Sequence, residues 1–309
     1  MSTRSRGDHS RERRRSPLSP APARPRERSI AVIGAGASGT LTAVNLLRRG
    51  RVRVTLIDPK PHGPGVAYST RDQSHLLNVP AAAISGLVDE PGDFLDWCRG
   101  LGMRVEPEDH LPRRLYGVYL RQLLVRFGDG WRLQQRRARA VNVVEPLFHH
   151  GVRVTLADSS VVTADAAVLA LGDPRPAKAS RERVRVELGH GSATDADVVV
   201  NATGPSREIG VGCNPLTQRL LASGRVRLDE LGLGLATGPE GALIDLEGTV
   251  SDRCFTLGPP WRGESLESTA VPEIRQQAEE LAGRLTEDGE VGRRGLRRRS
   301  ATGGRGRVR

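Results

Sequence analysis

The run Ser29-Ile30-Ala31-Val32-Ile33 is short, apolar and rich in β-branched residues, and it opens directly into Gly34-Ala35-Gly36-Ala37-Ser38-Gly39 and then into the helix-forming Thr40 to Leu47. A strand, a G-x-G-x-x-G turn and a helix in immediate succession confine the chain to a βαβ unit of the dinucleotide-binding kind. Gly34 permits the tight turn, Gly36 lets the backbone approach a pyrophosphate, and Gly39 lets the helix pack against the strand, so that the helix's free N–H groups face the phosphates. A second strand, Arg51 to Ile57, ends on Asp58, 19 residues after Gly39. An acidic side chain there can accept hydrogen bonds from a ribose diol.

At 309 residues the chain is long enough for one large domain or two ordinary ones. Its formal net charge of +11 resembles that of a nucleic-acid binder until it is divided along the chain. Residues 1–28 hold nine Arg against Asp8, Glu12 and Glu27, and residues 292–309 hold eight Arg and no acid. The body between them is mildly acidic. Both ends are rich in Arg, Ser, Gly and Pro and poor in large apolar residues, a composition that predicts disorder. No aromatic residue interleaves the arginines to stack on bases, so a nucleic-acid partner is not expected. The cysteines Cys98, Cys213 and Cys254 are far apart, with no C-x-x-C and no histidine at ligand spacing, and no metal site is expected. The stretch Ile30 to Leu47 is apolar enough to suggest a membrane span, but its polar residues and glycines belong to the dinucleotide motif. With no other membrane segment or export signal in the sequence, a cytoplasmic location is the expectation.

After Asp58 comes a long insert, residues 59–136, with turn clusters at Pro61-His62-Gly63-Pro64-Gly65 and Pro91-Gly92-Asp93 and helical periodicity at Phe94 to Arg99 and Leu115 to Phe127. It reads as an excursion from the sheet. Strand patterns resume at Ala138 to Val144, then as a hairpin, Gly151 to Leu156 and Ser160 to Ala164, and then as Ala167 to Leu171 running into Gly172. The order repeats: Val184 to Leu188, a turn at Gly189 to Ser192, and a buried-strand pattern from Ala196 to Asn201-Ala202-Thr203-Gly204-Pro205. The last strand pattern, Arg253 to Leu257, stops at Gly258-Pro259. A helix is predicted from near Thr269, with Pro272 and Glu273 in its first turn and Ile274, Ala278 and Leu281 as its apolar stripe.

These pieces together resemble a bacterial FAD/NAD(P)-binding protein family with an N-terminal flavin domain, related to the N-hydroxylating monooxygenases and including urate-hydroxylase-like flavoproteins. Beside the glycine motif, the matching segments are Gly65-Val66-Ala67-Tyr68-Ser69-Thr70, His75-Leu76-Leu77-Asn78-Val79-Pro80-Ala81, Pro112-Arg113-Arg114-Leu115-Tyr116-Gly117, Leu169-Ala170-Leu171-Gly172, Asn201 to Pro205, Leu231-Gly232-Leu233-Gly234-Leu235 and Thr269 to Arg275. They are collinear over roughly residues 29–285. The resemblance implies FAD on the first motif, with Gly34, Gly36, Ser38 and Gly39 at the pyrophosphate and Asp58 at the adenosine ribose. It also implies that the loop His75 to Ala81 and the helix start at Thr269 to Glu273 approach the flavin ring, and that the strand ends at Gly172 and Gly258 pass close to the cofactor. Asn78 has the chemistry to meet the ring's alternating donors and acceptors, or it caps a turn. Arg114 and Tyr116 could bind an anionic or aromatic substrate, or they lie on the outer surface of their helix.

Two departures matter. Only 31 residues separate Gly172 from Gly204, where the family places a second nucleotide domain. A βαβ crossover alone takes about 30 residues, so no NAD(P)H domain fits, and the seam is expected near residues 176–183. The clusters Gly210-Val211-Gly212 and Gly232-Leu233-Gly234 follow no convincing strand and do not read as nucleotide sites. The second is a departure from many flavoproteins that agrees with the family's own pattern: Pro259 offers neither a side-chain acceptor nor an N–H where they hold the ribityl chain, which leaves that contact to water or another residue.

The expectation is therefore an α/β, Rossmann-like FAD/NAD(P)-binding domain, its parallel sheet flanked by helices and a β-meander, with disordered basic termini. Residues 1–28 are the first extension, 29–177 the FAD-binding region with its insert, 178–250 a second hairpin and partial lobe, 251–290 the closing strand and helix, and 291–309 the basic tail. The expected function is an FAD-dependent oxidoreductase of monooxygenase type, acting on a small molecule and drawing electrons from a partner reductase or from free NAD(P)H. The alternatives are a noncatalytic dinucleotide binder and, least supported, a nucleic-acid-associated protein acting through its tails. No catalytic side chain is identifiable, which is weak guidance where the cofactor carries the redox step. A face left open by the missing domain is expected to be covered by a partner or a second copy.

Overall fold

A computed structural model describes residues 27–60, 62–146, 150–172, 184–187, 193–196, 214–264 and 268–286. Most of both Arg-rich ends, the expected seam at 176–183, the Gly210 cluster and the segment Asn201 to Pro205 lie outside these residues. In chain order the elements are β1 (Arg28–Ile33), α1 (Ala37–Arg48), β2 (Val52–Ile57), α2 (Asp93–Gly100), α3 (Arg113–Phe127), β3 (Leu133–Arg136), β4 (Ala140–Val144), β5 (Val152–Leu156), β6 (Val161–Ala164), β7 (Ala166–Leu169), β8 (Val184–Glu187), β9 (Ala193–Ala196), α4 (Pro215–Ala222), β10 (Ala242–Ile244), β11 (Val250–Thr256) and α5 (Val271–Thr286).

The main sheet has the order β10-β11-β7-β1-β2-β3. Every neighbouring pair in it is parallel except β10 with β11. This is the doubly wound order, with β1 inside the sheet and the strand order reversing between β1 and β7. The alternation of β1 shows why its sequence is apolar throughout: Ile30 and Val32 enter one core, Ala31 and Ile33 the other.

On the first face lie α1, α3 and α5. Leu41, Val44, Leu46 and Leu47 of α1 and Ile274, Ala278 and Leu281 of α5 are at most 4% exposed; each large aliphatic among them contributes about 1.5–3 kcal/mol of burial. Two polar side chains on α1 are accommodated within the helix itself, Thr42 Oγ1 donating to the Ser38 carbonyl at 2.8 Å and Asn45 Nδ2 to the Leu41 carbonyl at 3.0 Å. On the second face the antiparallel sheet β4-β5-β6 supplies Val143, Val152, Val154 and Leu156, joined by Leu216 and Leu220 of α4. This is the expected meander. β8 and β9 pair antiparallel as a separate two-stranded sheet, their register joining Val184 to Ala196 and Glu187 to Ala193.

Four expectations need correction. Residues 133–136 belong not to an excursion but to the sheet, as its parallel edge strand β3 beside β2. Arg28, placed in the disordered extension, is the first residue of β1 and pairs with Val52. The closing strand starts earlier than Arg253, and β10 adds an antiparallel edge that the sequence pattern does not announce. β9 ends at Ala196, where the pattern has the second strand begin.

Candidate functional site

The turn between β1 and α1 lies at the carboxyl edge of the parallel strands. Gly34 turns it at φ +101°, and a Cβ there would stand 2.1 Å from the Ala170 carbonyl oxygen beyond β7; a Cβ on Gly39 would meet the Gly34 carbonyl oxygen at 1.8 Å. No side chain larger than hydrogen fits at either position. α1 then begins at Ala37 with Gly36 as its cap residue, no side chain accepting from its first turn and no acidic residue within that turn. Its leading N–H groups and the positive end of its dipole are thus left to an anion.

Asp58 fastens this turn. Its Oδ2 accepts from the Ala35 amide at 2.9 Å and its Oδ1 from the Lys60 amide at 2.8 Å, so the carboxylate holds the glycine loop and the loop after β2 together. Each oxygen keeps a lone pair for a further donor. From the far side of the site, Gly258 enters at φ +74° with its Cα against Ser38; a Cβ would lie 2.7 Å from Ser38 Oγ. The Gly258 amide is already donated to Gln277 Oε1 at 2.9 Å, so what this glycine offers is close approach. Gly172, at φ +69°, has nothing near its missing Cβ and borders open space.

The structure therefore brings Gly34, Gly36, Ser38, Gly39, Asp58 and Gly258 into one constellation, with Gly172 two residues beyond the Ala170 that seats Gly34. Asn78 and Thr269 are exposed. The loop of Asn78 is pinned to the segment before α3 by Leu77 N to Leu111 O at 2.8 Å and Ala81 N to Asp109 O at 2.8 Å. The short helical turn Ala81–Ala83 that follows it is capped by Pro80, not by Asn78. Thr269 stands in the turn ahead of α5, two residues before its first residue.

Tyr116 belongs neither to a substrate surface nor to the outer face of its helix: it is 0% exposed, packed against Tyr68, Phe94 and Tyr119 with ring centroids 4.9–5.4 Å apart. Only Arg114 of that pair is exposed. Near Gly232 and Gly234 the Asp229 carboxylate accepts from the amides of Leu231, Leu233 and Gly234. The loop is thus organised by its own acid.

Three features of the site add contacts that the sequence pattern does not specify, although Gly65 and Glu273 fall in segments of the resemblance. Gly65, at φ +57°, lies against Gly36 so tightly that a Cβ would stand 2.7 Å from the Gly36 Cα. The loop that carries it is tied down by Gly63 N to Ala35 O at 2.9 Å. Just before it, His62 is 7% exposed, with Nε2 lacking any partner. Burial pushes the imidazole below its usual pKa against the opposing pull of Asp58 and the Leu56 backbone. Around the start of α5, Trp261 Nε1, Ser268 Oγ and Glu273 Oε2 are also buried without protein partners.

Residues 31–174 match a family model described as FAD-NAD(P)-binding. This part of the chain is an FAD/NAD(P)-binding domain, and β11 and α5 complete its sheet and helical layer from outside the matched segment. In solved structures the chain is similar in fold to S-allyl-L-cysteine S-oxygenase from Allium sativum, at 15% identity and a TM-score of 0.53, over 84% of this chain and 76% of that one. It is also similar to a flavin-containing monooxygenase from Stenotrophomonas maltophilia, at 15% identity and a TM-score of 0.54, over 84% of this chain and 98% of that one. No curated protein matches the chain by sequence. Among the described residues no helix is long and apolar enough to cross a membrane.

Proposed function

We propose that the chain is an FAD-dependent oxidoreductase of flavin-monooxygenase type, acting in the cytoplasm on a small molecule and taking its electrons from outside the chain. The observation that carries this reading is the Asp58-fastened glycine turn at the carboxyl edge of the parallel sheet, with an uncapped α1 behind it and Gly258 closing it from β11. Of the two similar folds, one is named an S-oxygenase and the other a flavin-containing monooxygenase, which supports the type.

The residues present fit the cofactor. Gly36, Ser38 and Gly39 would hold the pyrophosphate on the α1 N-terminus, and Asp58 would accept from the adenosine ribose with its remaining lone pairs. Trp261, Ser268 and Glu273, with buried polar atoms that no protein group satisfies, suit the polar edge of a ring system near α5. When bound, FAD supplies the redox chemistry that no side chain of the site provides. The protein's part is to orient the cofactor through rigid glycine contacts and to cover its adenosine end with the loop of residues 62–68.

The visible absorption spectrum of the purified chain after addition of FAD, then under anaerobic NADH or NADPH, tests the reading. Bound flavin bands that bleach with a nicotinamide support an oxidoreductase reduced directly. Bands that stay oxidised with nicotinamide but bleach with dithionite and recover with oxygen support dependence on a partner reductase. Failure to bind FAD overturns the proposal.

A further inference from the structure

We infer that His62 binds the adenosine half of the dinucleotide, its Nε2 accepting a hydrogen bond from a ribose hydroxyl or from the adenine amino group. The inference rests on the FAD-binding reading and adds to it a residue that the glycine motif does not contain.

His62 stands four residues past Asp58, in the loop that leaves the carboxyl end of β2. That is the edge where a dinucleotide's adenosine end lies in this fold. His62 is more than nine-tenths buried, and with the proton of its neutral ring on the nitrogen turned to the Leu56 backbone, Nε2 is an acceptor. That acceptor has no protein partner, an arrangement that folded proteins rarely leave unsatisfied. The neighbouring backbone gives the ring little freedom to turn away: Gly63 N is bonded to the Ala35 carbonyl at 2.9 Å, and a Cβ on Gly63 would already meet Arg121.

The charged groups that face the ring are Asp58, at the end of β2, and Arg137, just after β3. Asp58 is itself an acceptor with spare lone pairs. The two side chains together therefore present acceptors to whatever enters, and a ligand edge made of donors answers both. Hydroxyls and an exocyclic amine are the donors that adenosine carries. The desolvated ring stays neutral near physiological pH, and a neutral ring is the form that can accept.

The test uses FAD and ADP as probes against the native full-length chain, His62→Leu and His62→Gln, with affinities from titration calorimetry. We expect His62→Leu to weaken FAD and ADP by the same factor, about tenfold, as for loss of one buried hydrogen bond. His62→Gln, which keeps an acceptor, should stay within about threefold of the native chain. Unchanged ADP affinity in His62→Leu overturns the inference while leaving FAD binding standing. A native chain that binds ADP but not FAD overturns the flavin reading and not this one; a native chain that binds neither overturns both.

Discussion

One carboxylate holds the two ends of the first βαβ unit together. Because Asp58 accepts from the part-buried Ala35 amide and the exposed Lys60 amide, Asp58→Ala should lower stability by about 1 kcal/mol, the net worth of an ordinary hydrogen bond. It should weaken FAD by more than tenfold; urea unfolding and FAD titration measure the two effects. Asp58→Asn keeps one acceptor oxygen and should retain most of the stability. Glycines in the same site should differ sharply. Gly39→Ala drives a methyl into the Gly34 carbonyl, whereas Gly172→Ala enters open space and carries only the left-handed backbone penalty, about 1–2 kcal/mol. A urea midpoint for Gly172→Ala as low as that for Gly39→Ala would contradict this geometry. The glycines and Asp58 were legible in the sequence because their spacing encodes local backbone conformation. The roles of His62 and Gly65 were not, although Gly65 opens a segment of the resemblance, since they come from a loop folding back over a turn some thirty residues earlier, which no local pattern records.

At the level of elements, α3 is anchored by aromatic rings rather than by an apolar stripe alone. All three tyrosines of the chain, Tyr68, Tyr116 and Tyr119, gather with Phe94 and Trp97. Tyr119 donates to Asp93 Oδ2 at 2.5 Å and accepts from the Gly86 amide at 3.0 Å. Burial pushes the Tyr68 hydroxyl up to about 12, burial and then the bond to Asp93 push Tyr119 higher, and burial with the neighbouring tyrosines lifts Tyr116 well above its usual value. The folded state therefore holds these protons more tightly than the unfolded chain. The stability so gained is fully present below the ordinary tyrosine value near 10 and is lost as pH rises from there through the raised values. Ultraviolet titration should show no phenolate absorbance at about pH 11, then a cooperative rise coincident with loss of far-ultraviolet ellipticity. Phe94→Ala, at a ring that is 0% exposed, should cost about 3–5 kcal/mol by urea unfolding. The meander and both insert helices could be read from periodicity. β3 could not: Leu-Gln-Gln-Arg carries no strand signature, and its conformation is set by pairing with β2 at the sheet's edge.

Across the whole molecule, charge and fold are separable. Net positive charge resides in the two Arg-rich ends, while the body between residues 29 and 291 is mildly acidic. Deleting residues 1–26 and 292–309, which leaves β1 whole, should abolish low-salt retention on a nucleic-acid or heparin column. If the trimmed chain still bound as tightly, the charge would have to be concentrated by the folded surface instead. The face that a second nucleotide domain would have covered is proposed to meet another copy or a reductase, and a monodisperse monomer in solution scattering at high concentration would count against that.

The glycine turn that begins at residue 34 is seated on Ala170 and closed by Gly258, whose amide is in turn held by Gln277. A chain that folds from its N-terminal side makes the turn first and gains this support only after the segment carrying Gly258 and Gln277 has been made. The motif at residue 34 is therefore not a self-sufficient unit, and a fragment that stops before Gly258 holds the turn without its cradle.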